Sequence, residues 1–575
     1  MTGPLIAQSD KTVLLETDNE AFAAARDALG RFAELVKSPE HFHTYRITPL
    51  SLWNARSAGM TVEEILGVLE AYGRYAPPHN VVSEIRDFCG RYGRLRLQAT
   101  SDELFLESDD RILLTEVARH KFVAPLIQSA DASGHVRVRP GMRGHVKQAL
   151  LKAGFPVEDL AGYRTGDELD LHLRTVTAAG APLALRPYQK QAVDGFLLDG
   201  SPAGGNGVIV LPCGAGKTLV GMAIMERVRT HTLILVTNVS AIHQWRHELL
   251  DKTDLSPDRI GEYSGERKDI APVTLATYNI LTYRKRGDAD FSHFSLFDQA
   301  NWGLIVYDEV HLLPAPIFRA AAELQARRRL GLTATLLRED KKEDDVFSLI
   351  GPKRFDVPWK VLEQQNWIAQ AECVEIRVPM AAHSRMVYAT SEETEKYRLA
   401  SINPLKTVYL ETLIERHAAD SVLVIGHYLD QLQEIADRTG APLITGQTPQ
   451  RVRDLLYDRF RDGDVRLLIV SKVANFSIDL PDANVAIQVS GTFGSRQEEA
   501  QRLGRILRPK AVNNRARFYS LVTRDTRDEE FARHRQLFLT EQGYRYRIEL
   551  PEMETAAAAS GPAHEPERLV AQCIM

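Results

Sequence analysis

Leu211 to Thr218, LPCGAGKT, lies between an apolar run, GVIVLP, and an amphipathic stretch, TLVGMAIMERV. A strand that empties through glycines into a helix is the geometry of a phosphate-binding loop. Gly214 and Gly216 let main-chain amides turn toward phosphate oxygens, Lys217 supplies charge to the β and γ phosphates, and the Thr218 hydroxyl is a ligand for magnesium. Cys213, Gly214, Ala215, Gly216, Lys217, Thr218 and Leu219 therefore form the candidate ATP cradle. The strict pattern has glycine where Leu211 stands, so this string alone leaves an ordinary strand-to-helix turn open.

From Gly207 onward the grammar repeats. GVIVLP, TLILVT, VTLATY, GLIVYDE and RLGLTAT are short apolar runs, each followed by a helical stretch, and such alternation predicts a buried parallel sheet covered on both faces. A second series begins after about Trp367: SVLVIG, PLITG, VRLLIVS, VAIQVS and ARFYSLV. The expectation is an α/β chain with two tandem parallel-sheet domains, over 182–365 and 366–550, behind a smaller α/β region over 1–175. In that front region, strand-like runs (Thr12 to Glu16, Thr44 to Ile47, Leu95 to Gln98, Glu103 to Glu107, His135 to Arg139) alternate with helical patterns at Thr61 to Tyr75 and Met142 to Phe155. That is one small α/β part or two. Thr175 to Pro187, rich in alanine, glycine and proline, reads as a linker, and 551–575 as a disordered tail.

Asp308 and Glu309 end the run GLIVY, where open α/β sheets place ligand chemistry. Asp308 would hold magnesium through its water shell, and Glu309 would polarise the attacking water; adjacent acids after a strand are also an ordinary solvated turn. Far along the chain, QRLGRILR carries Arg505 and Arg508, three apart on a predicted helix and so able to share a face. Arginines delivered by a second domain stabilise charge on the γ-phosphoryl oxygens only when the domains close, which couples closure to ATP. Gln501 would bond the γ phosphate or the water. A surface helix with scattered arginines is the alternative.

LPCGAGKT, YDEVH, LTAT and QRLGRILR occur once each and in that order. Together they resemble the helicase core of superfamily 2, and in detail its XPB branch of DNA repair helicases. LRPYQKQAV, Leu185 to Val193, is similar to the family's segment ahead of the P-loop, which places Arg186 at the nucleotide and Gln189 on the adenine edge. YDEVHLLPAPIF has the DExH form. LGLTATLLRED carries the coupling motif, with Thr333 and Thr335, and the triplet Arg338, Glu339, Asp340 that marks this branch and is tied there to strand separation. SKVANFSIDLP and QVSGTFGSRQEEAQRLGRILRPK are similar to the fifth and sixth motifs, and Asp479 in the former falls to the nucleotide. The match spans about Leu185 to Lys510. HTYRITPLSLWNARSAGMTVEEILGVLEAY is similar to the family's amino-terminal module, a damage-recognition part. The resemblance implies two RecA-like motor domains, ATP and Mg2+ as cofactors, and 3′ to 5′ movement on DNA in repair, in a bacterial, actinobacterial style.

Position in the resemblance also nominates a nucleic-acid grip, whose contacts would alternate as the motor domains open and close. Thr237, Asn238 and Trp245 follow the second strand and Thr277 and Tyr278 the third. In the second domain the places are His427 and Tyr428, Gly446 and Gln447, and Lys472. Trp245 and Tyr278 read equally well as core, and His427 as a capping residue. Ser264 to Lys268 and Arg327 to Arg329 are charge runs that either touch DNA or form solvated faces. Arg137, Arg139, Arg143 and Lys147 would make a second basic patch. His311 would bridge to Gln501; with His243 it has no third ligand at metal spacing, which argues against zinc.

A formal net charge of -5 leaves room for a local basic groove, so charge does not decide the partner. No apolar run approaches the roughly 20 residues that span a bilayer, and Met1 to Lys11 lacks a signal core; the expectation is a cytoplasmic, nucleoid-associated protein without a membrane. Cys89, Cys213, Cys373 and Cys573 lie too far apart for a metal cluster. The expected partners are single-stranded and forked DNA and a repair nuclease or other repair proteins, with the protein itself a monomer. An RNA-remodelling ATPase and an ATP-gated clamp that recruits repair partners without unwinding share these motifs. A P-loop kinase would leave LTAT and QRLGRILR without a task.

Overall fold

The computed structural model describes residues 3–37, 41–100, 103–130, 136–140, 142–162, 165–200, 204–212, 214–283, 292–297, 299–314, 317, 327–334, 345–357, 359–471, 483–491, 499, 502–504, 506–507 and 514–550. They fall into two units. The first runs to Gln365 and takes in Thr540–Gly543; the second holds the remaining described residues from Asn366 onward.

The first unit contains three sheets. Strands β1 (Leu5–Ala7), β2 (Thr12–Glu16), β3 (Glu34–Lys37) and β4 (Phe42–Arg46) pair antiparallel in the order β1-β2-β4-β3. Val13, Leu15, Leu35 and Tyr45 pack from this sheet against Leu52, Ile65, Leu69, Val81 and Ile85 of helices Pro49–Ser57, Val62–Ala71 and His79–Arg91. Two of those helices begin with reciprocal capping boxes, Thr48 with Ser51 and Thr61 with Glu64, so their starts are fixed locally. A second sheet, β5 (Leu95–Thr100), β6 (Glu103–Glu107), β7 (Ile127–Ala130), β8 (Val136–Val138) and β9 (Val157–Asp159), has the order β7-β8-β6-β5-β9 and its own core with helices Arg111–Arg119 and Arg143–Lys152. The front region is thus two α/β parts.

The third sheet is wholly parallel: β10 (Asn206–Val210), β11 (Thr232–Val236), β12 (Ile260–Tyr263), β13 (Val273–Thr277), β14 (Leu304–Asp308), β15 (Arg328–Thr333) and β16 (Lys353–Asp356), in the order β12-β13-β11-β14-β15-β10-β16. β10, β11 and β13 are buried at every position, which is why they read as unbroken apolar runs. β14, β15 and β10 are neighbours, so LPCGAGKT, YDEVH and LTAT leave the sheet side by side. The stretch expected to be a linker is fastened to this domain. Within it Ala178 donates its N–H to the Asp251 carbonyl and Ala179 to Asp251 Oδ1, while just ahead of it Leu169 and Leu171 are buried and Arg174 donates its N–H to the Lys252 carbonyl.

The second unit carries another parallel sheet: β17 (Gln370–Val378), β18 (Val422–Gly426), β19 (Leu443–Ile444), β20 (Leu467–Ser471), β21 (Val485–Gln488), β22 (Arg515–Thr523) and β23 (Tyr546–Glu549), in the order β19-β20-β18-β21-β22-β17-β23. Among the described residues, no helix is long and apolar enough to cross a membrane.

Candidate functional site

Where β10 ends, Leu211 donates its N–H to the Thr333 carbonyl at 3.0 Å, tying the loop to β15. Gly214 and Gly216 then both take φ +80°, in the left-handed region that favours glycine. Helix Lys217–Val228 starts at once, so its unpaired N–H groups and positive dipole end face the turn. Gly216 is required for a second reason, since a Cβ there would lie 2.5 Å from Gln189 Nε2. Gln189 is 2% exposed. Its Nε2 donates to the Ala215 carbonyl at 2.9 Å, the Tyr188 hydroxyl donates to the same oxygen at 2.8 Å, and the Arg186 N–H donates to Gln189 Oε1 at 2.8 Å. Gln189 and Tyr188, the latter passed over in the sequence reading, thus brace the loop directly, and Arg186 holds both of them through its main-chain N–H and its guanidinium. Thr218 and Leu219 occupy the first turn of the helix.

Lys217 Nζ donates to the Leu211 carbonyl at 3.5 Å and lies 3.6 Å from Glu309 Oε1. Burial, and next the neighbouring Glu309 charge, push the Asp308 carboxyl above its usual range. Burial opposes ionisation of Glu309 as well, but Lys217 and then His311 outweigh it and hold that carboxyl below its usual range. The adjacent acids thus divide their charge unequally, and Glu309 keeps it because the lysine stands on its side. Glu309 sits at φ +50°, a strained torsion for a residue with a Cβ. Thr333 Oγ1 donates to its Oε2 at 3.5 Å, and His311 Nδ1 lies 2.6 Å from Thr333 Oγ1 and 3.5 Å from the same carboxylate oxygen. The end of β15 is in this way wired to the acid at the end of β14. Asp308 accepts from the Glu309 N–H at 3.1 Å and from the Trp245 indole N–H at 2.9 Å.

The arrangement fits a nucleoside triphosphate: glycine-lined amides at a helix start, a lysine beside them, and carboxylate and hydroxyl oxygens of the kind that hard cations take. Cys213, Thr335, Arg338, Glu339, Asp340, Lys472, Asp479, Gln501, Arg505 and Arg508 lie outside the described residues.

Asn238 and Thr277 each cap a helix, accepting from Ala241 at 2.9 Å and Ile280 at 3.3 Å. Trp245 and Tyr278 belong to the core and not to a grip, at 2% and 3% exposure. His427, half-buried in the second unit, donates its main-chain N–H to Ser490 Oγ at 2.8 Å. Helix Leu429–Thr439 starts without a side-chain cap, so capping is not the task of His427. Two of the triplet Arg327 to Arg329 are held by carbonyls of this domain. Arg329 is fully buried and donates to the Leu349 carbonyl, while Arg327 donates to that of Phe297. Lys268 turns back to the Ser264 carbonyl and over the Tyr263 ring. In the front basic patch Arg137 pairs with Glu103, Arg143 and Lys147 both close on Asp159, and Arg139, whose guanidinium donates to the Ile127 carbonyl, stays exposed. Spacing shows cations but not the carboxylates that fold onto them.

Residues 362–568 match the family model described as ERCC3/RAD25/XPB C-terminal helicase, and residues 182–338 that described as type III restriction enzyme, res subunit. Residues 5–131 match the model described as helicase conserved C-terminal domain, although β1 to β8 form no parallel motor sheet. A protein of Kineococcus radiotolerans named DNA 3'-5' helicase XPB is 55% identical over 95% of this chain and 96% of its own length. One of the same name from Mycobacterium tuberculosis is 56% identical over 95% and 97%. The general transcription and DNA repair factor IIH helicase/translocase subunit XPB of Antonospora locustae is 34% identical over 95% and 81%.

Proposed function

The chain belongs to the XPB family of DNA 3′–5′ helicases, and from that premise we propose that it hydrolyses ATP to move 3′ to 5′ along DNA and part its strands during repair. The observation that carries this reading is the joined set Lys217, Glu309, His311 and Thr333 at the ends of three adjacent strands. The amides around Gly214 and Gly216 would cradle the phosphates, with Lys217 against the β and γ oxygens. Thr218 and Asp308 would hold magnesium, which supplies charge to the phosphate oxygens when bound. Glu309, kept ionised by Lys217, would accept a proton from the attacking water. Thr333 and His311 orient that carboxylate and carry its state into β15.

Arg505, Arg508 and Gln501 are the groups we assign to the γ phosphate from the second motor domain, where they would make closure depend on nucleotide. Cys213, Ala215, Leu219, Arg186, Gln189 and Asp479 complete the nucleotide site. Asn238, Thr277, Thr335, His427 and Lys472 would touch DNA, and Arg338, Glu339 and Asp340 would work at the fork. The partners are single-stranded and forked DNA and repair proteins, with the chain itself a monomer.

A forked duplex with one 3′ tail, set beside its 5′-tailed counterpart, tests this. Strand displacement from the 3′-tailed fork alone is expected, with ATP hydrolysis stimulated far more by DNA than by matched RNA. Displacement from neither fork with ATPase intact would point to the clamp, and equal stimulation by RNA would remove the DNA assignment.

A further inference from the structure

Asp308 is hydrogen-bonded by two aromatic side chains that lie far from it in sequence. The Trp245 indole donates to its Oδ2 at 2.9 Å, and the Tyr278 hydroxyl donates to its main-chain oxygen at 2.8 Å. Both donors are buried, and both stand on helices that start at the rim of the sheet. Asn238 caps helix Val239–Lys252, and Trp245 follows seven residues on, about 10 Å along a rigid rod. Thr277 caps helix Tyr278–Leu281, whose first residue is the tyrosine. β11 and β13, which feed these two helices, are paired with each other, and β11 also pairs with β14, which ends at Asp308.

The indole is seated with some cost. Gly221, in the middle of the P-loop helix, leaves room that a Cβ would fill, 2.9 Å from Trp245 Cη2. Glycine inside a helix costs about 1 kcal/mol against alanine. Trp245 thus touches the P-loop helix with its ring and the acid of the second motif with its N–H.

We propose that Trp245 and Tyr278 are positioning residues that transmit occupancy of the Asn238 and Thr277 turns to Asp308, so that nucleic acid at the rim sets the geometry of the magnesium ligand. The proposal rests on the reading above that these turns face DNA. A shift of either cap moves its helix, and the hydrogen bond at the other end moves Asp308. Neither aromatic touches nucleotide or nucleic acid.

Trp245→Phe and Tyr278→Phe are made singly and together in the full chain; the second deletes only the hydroxyl donor, while the first deletes the indole N–H together with part of the ring that lies over Gly221. Four quantities are measured: affinity for a fluorescein-labelled single strand without nucleotide, the factor by which that strand stimulates ATPase, the magnesium concentration at half-maximal rate, and tryptophan emission on adding ADP and magnesium. Strand affinity is expected to stay at the wild-type value, while the stimulation factor falls about tenfold in the double variant, the worth of one hydrogen bond to a charged group. Half-saturating magnesium rises in Trp245→Phe, and an emission change on adding ADP and magnesium is expected in wild type. Wild-type stimulation factors in all three variants would overturn the coupling. A wild-type ATPase indifferent to DNA would instead overturn the nucleic-acid reading beneath it.

Discussion

Glu309 shows how closely a single acid is held. A left-handed torsion, a threonine, a histidine and a lysine all fix one carboxylate. Glu309→Gln keeps the shape and an acceptor oxygen but cannot take a proton. Hydrolysis is expected to drop by about a hundredfold or more while ATP affinity is retained, as read by steady-state phosphate release beside a fluorescent-nucleotide titration. Lys217, Asp308 and Glu309 were legible because their chemistry is written in consecutive letters at strand ends. Trp245 and Tyr278 were ambiguous as letters, and nothing local announces partners 63 and 30 positions away.

In the second unit, elements are joined through buried charge. Lys406, on helix Leu405–Arg416, reaches Asp528 of helix Arg527–Glu541 at 2.6 Å and the Val489 carbonyl at 3.1 Å. Arg535 lies between Asp528, at 3.6 Å, and Glu499, at 3.7 Å. Both residues of the Lys406 pair are essentially inaccessible, so Lys406→Met leaves a buried carboxylate without its closest cation. The expected loss is about 3–5 kcal/mol, visible as a lower urea midpoint in circular dichroism. Adding Asp528→Asn should restore much of it. Legibility at this scale followed burial. The runs SVLVIG and VAIQVS became β18 and β21, buried throughout. β17 was missed because Glu372, Glu375 and Arg377 interrupt its apolar letters; buried Glu375 is satisfied by Arg377 at 2.7 Å and Gln536 at 2.5 Å. β12 and β16 are edge strands with mixed sequences, IGEY and KRFD.

Across the whole molecule, the front parts are bonded to the first motor sheet. Gln148 donates to Asp345 at 2.8 Å, and beside that contact, within the front part, Arg143 and Lys147 converge on Asp159. Burial opposes ionisation of Asp159, but Lys147 and Arg143 outweigh it and hold the carboxyl far below its ordinary range. Lys147 is the surplus cation, pushed down to about 8 by burial, with Arg329 and Arg143 adding to this against the pull of Asp159. Asp159→Asn should cost about 3–5 kcal/mol at neutral pH. In acid the unfolded chain takes up the Asp159 proton first, so this contribution is present above the ordinary carboxylate pKa of about 4 and fades as pH falls toward the lower folded value. Thermal midpoints of wild type and variant are therefore expected to keep their separation from pH 7 down to about pH 4 and to draw together below it.

The outer rim of the first motor sheet is sealed by the same front region. Asn54 Oδ1 accepts the Lys353 N–H of β16 at 3.0 Å, and the Arg354 guanidinium bonds both Asn206 oxygens and the Ser57 carbonyl. A shortened version beginning at the P-loop segment would bare that ribbon of backbone to its neighbours in solution. Such a fragment would stick to itself through its naked margin before it ever had the chance to burn fuel.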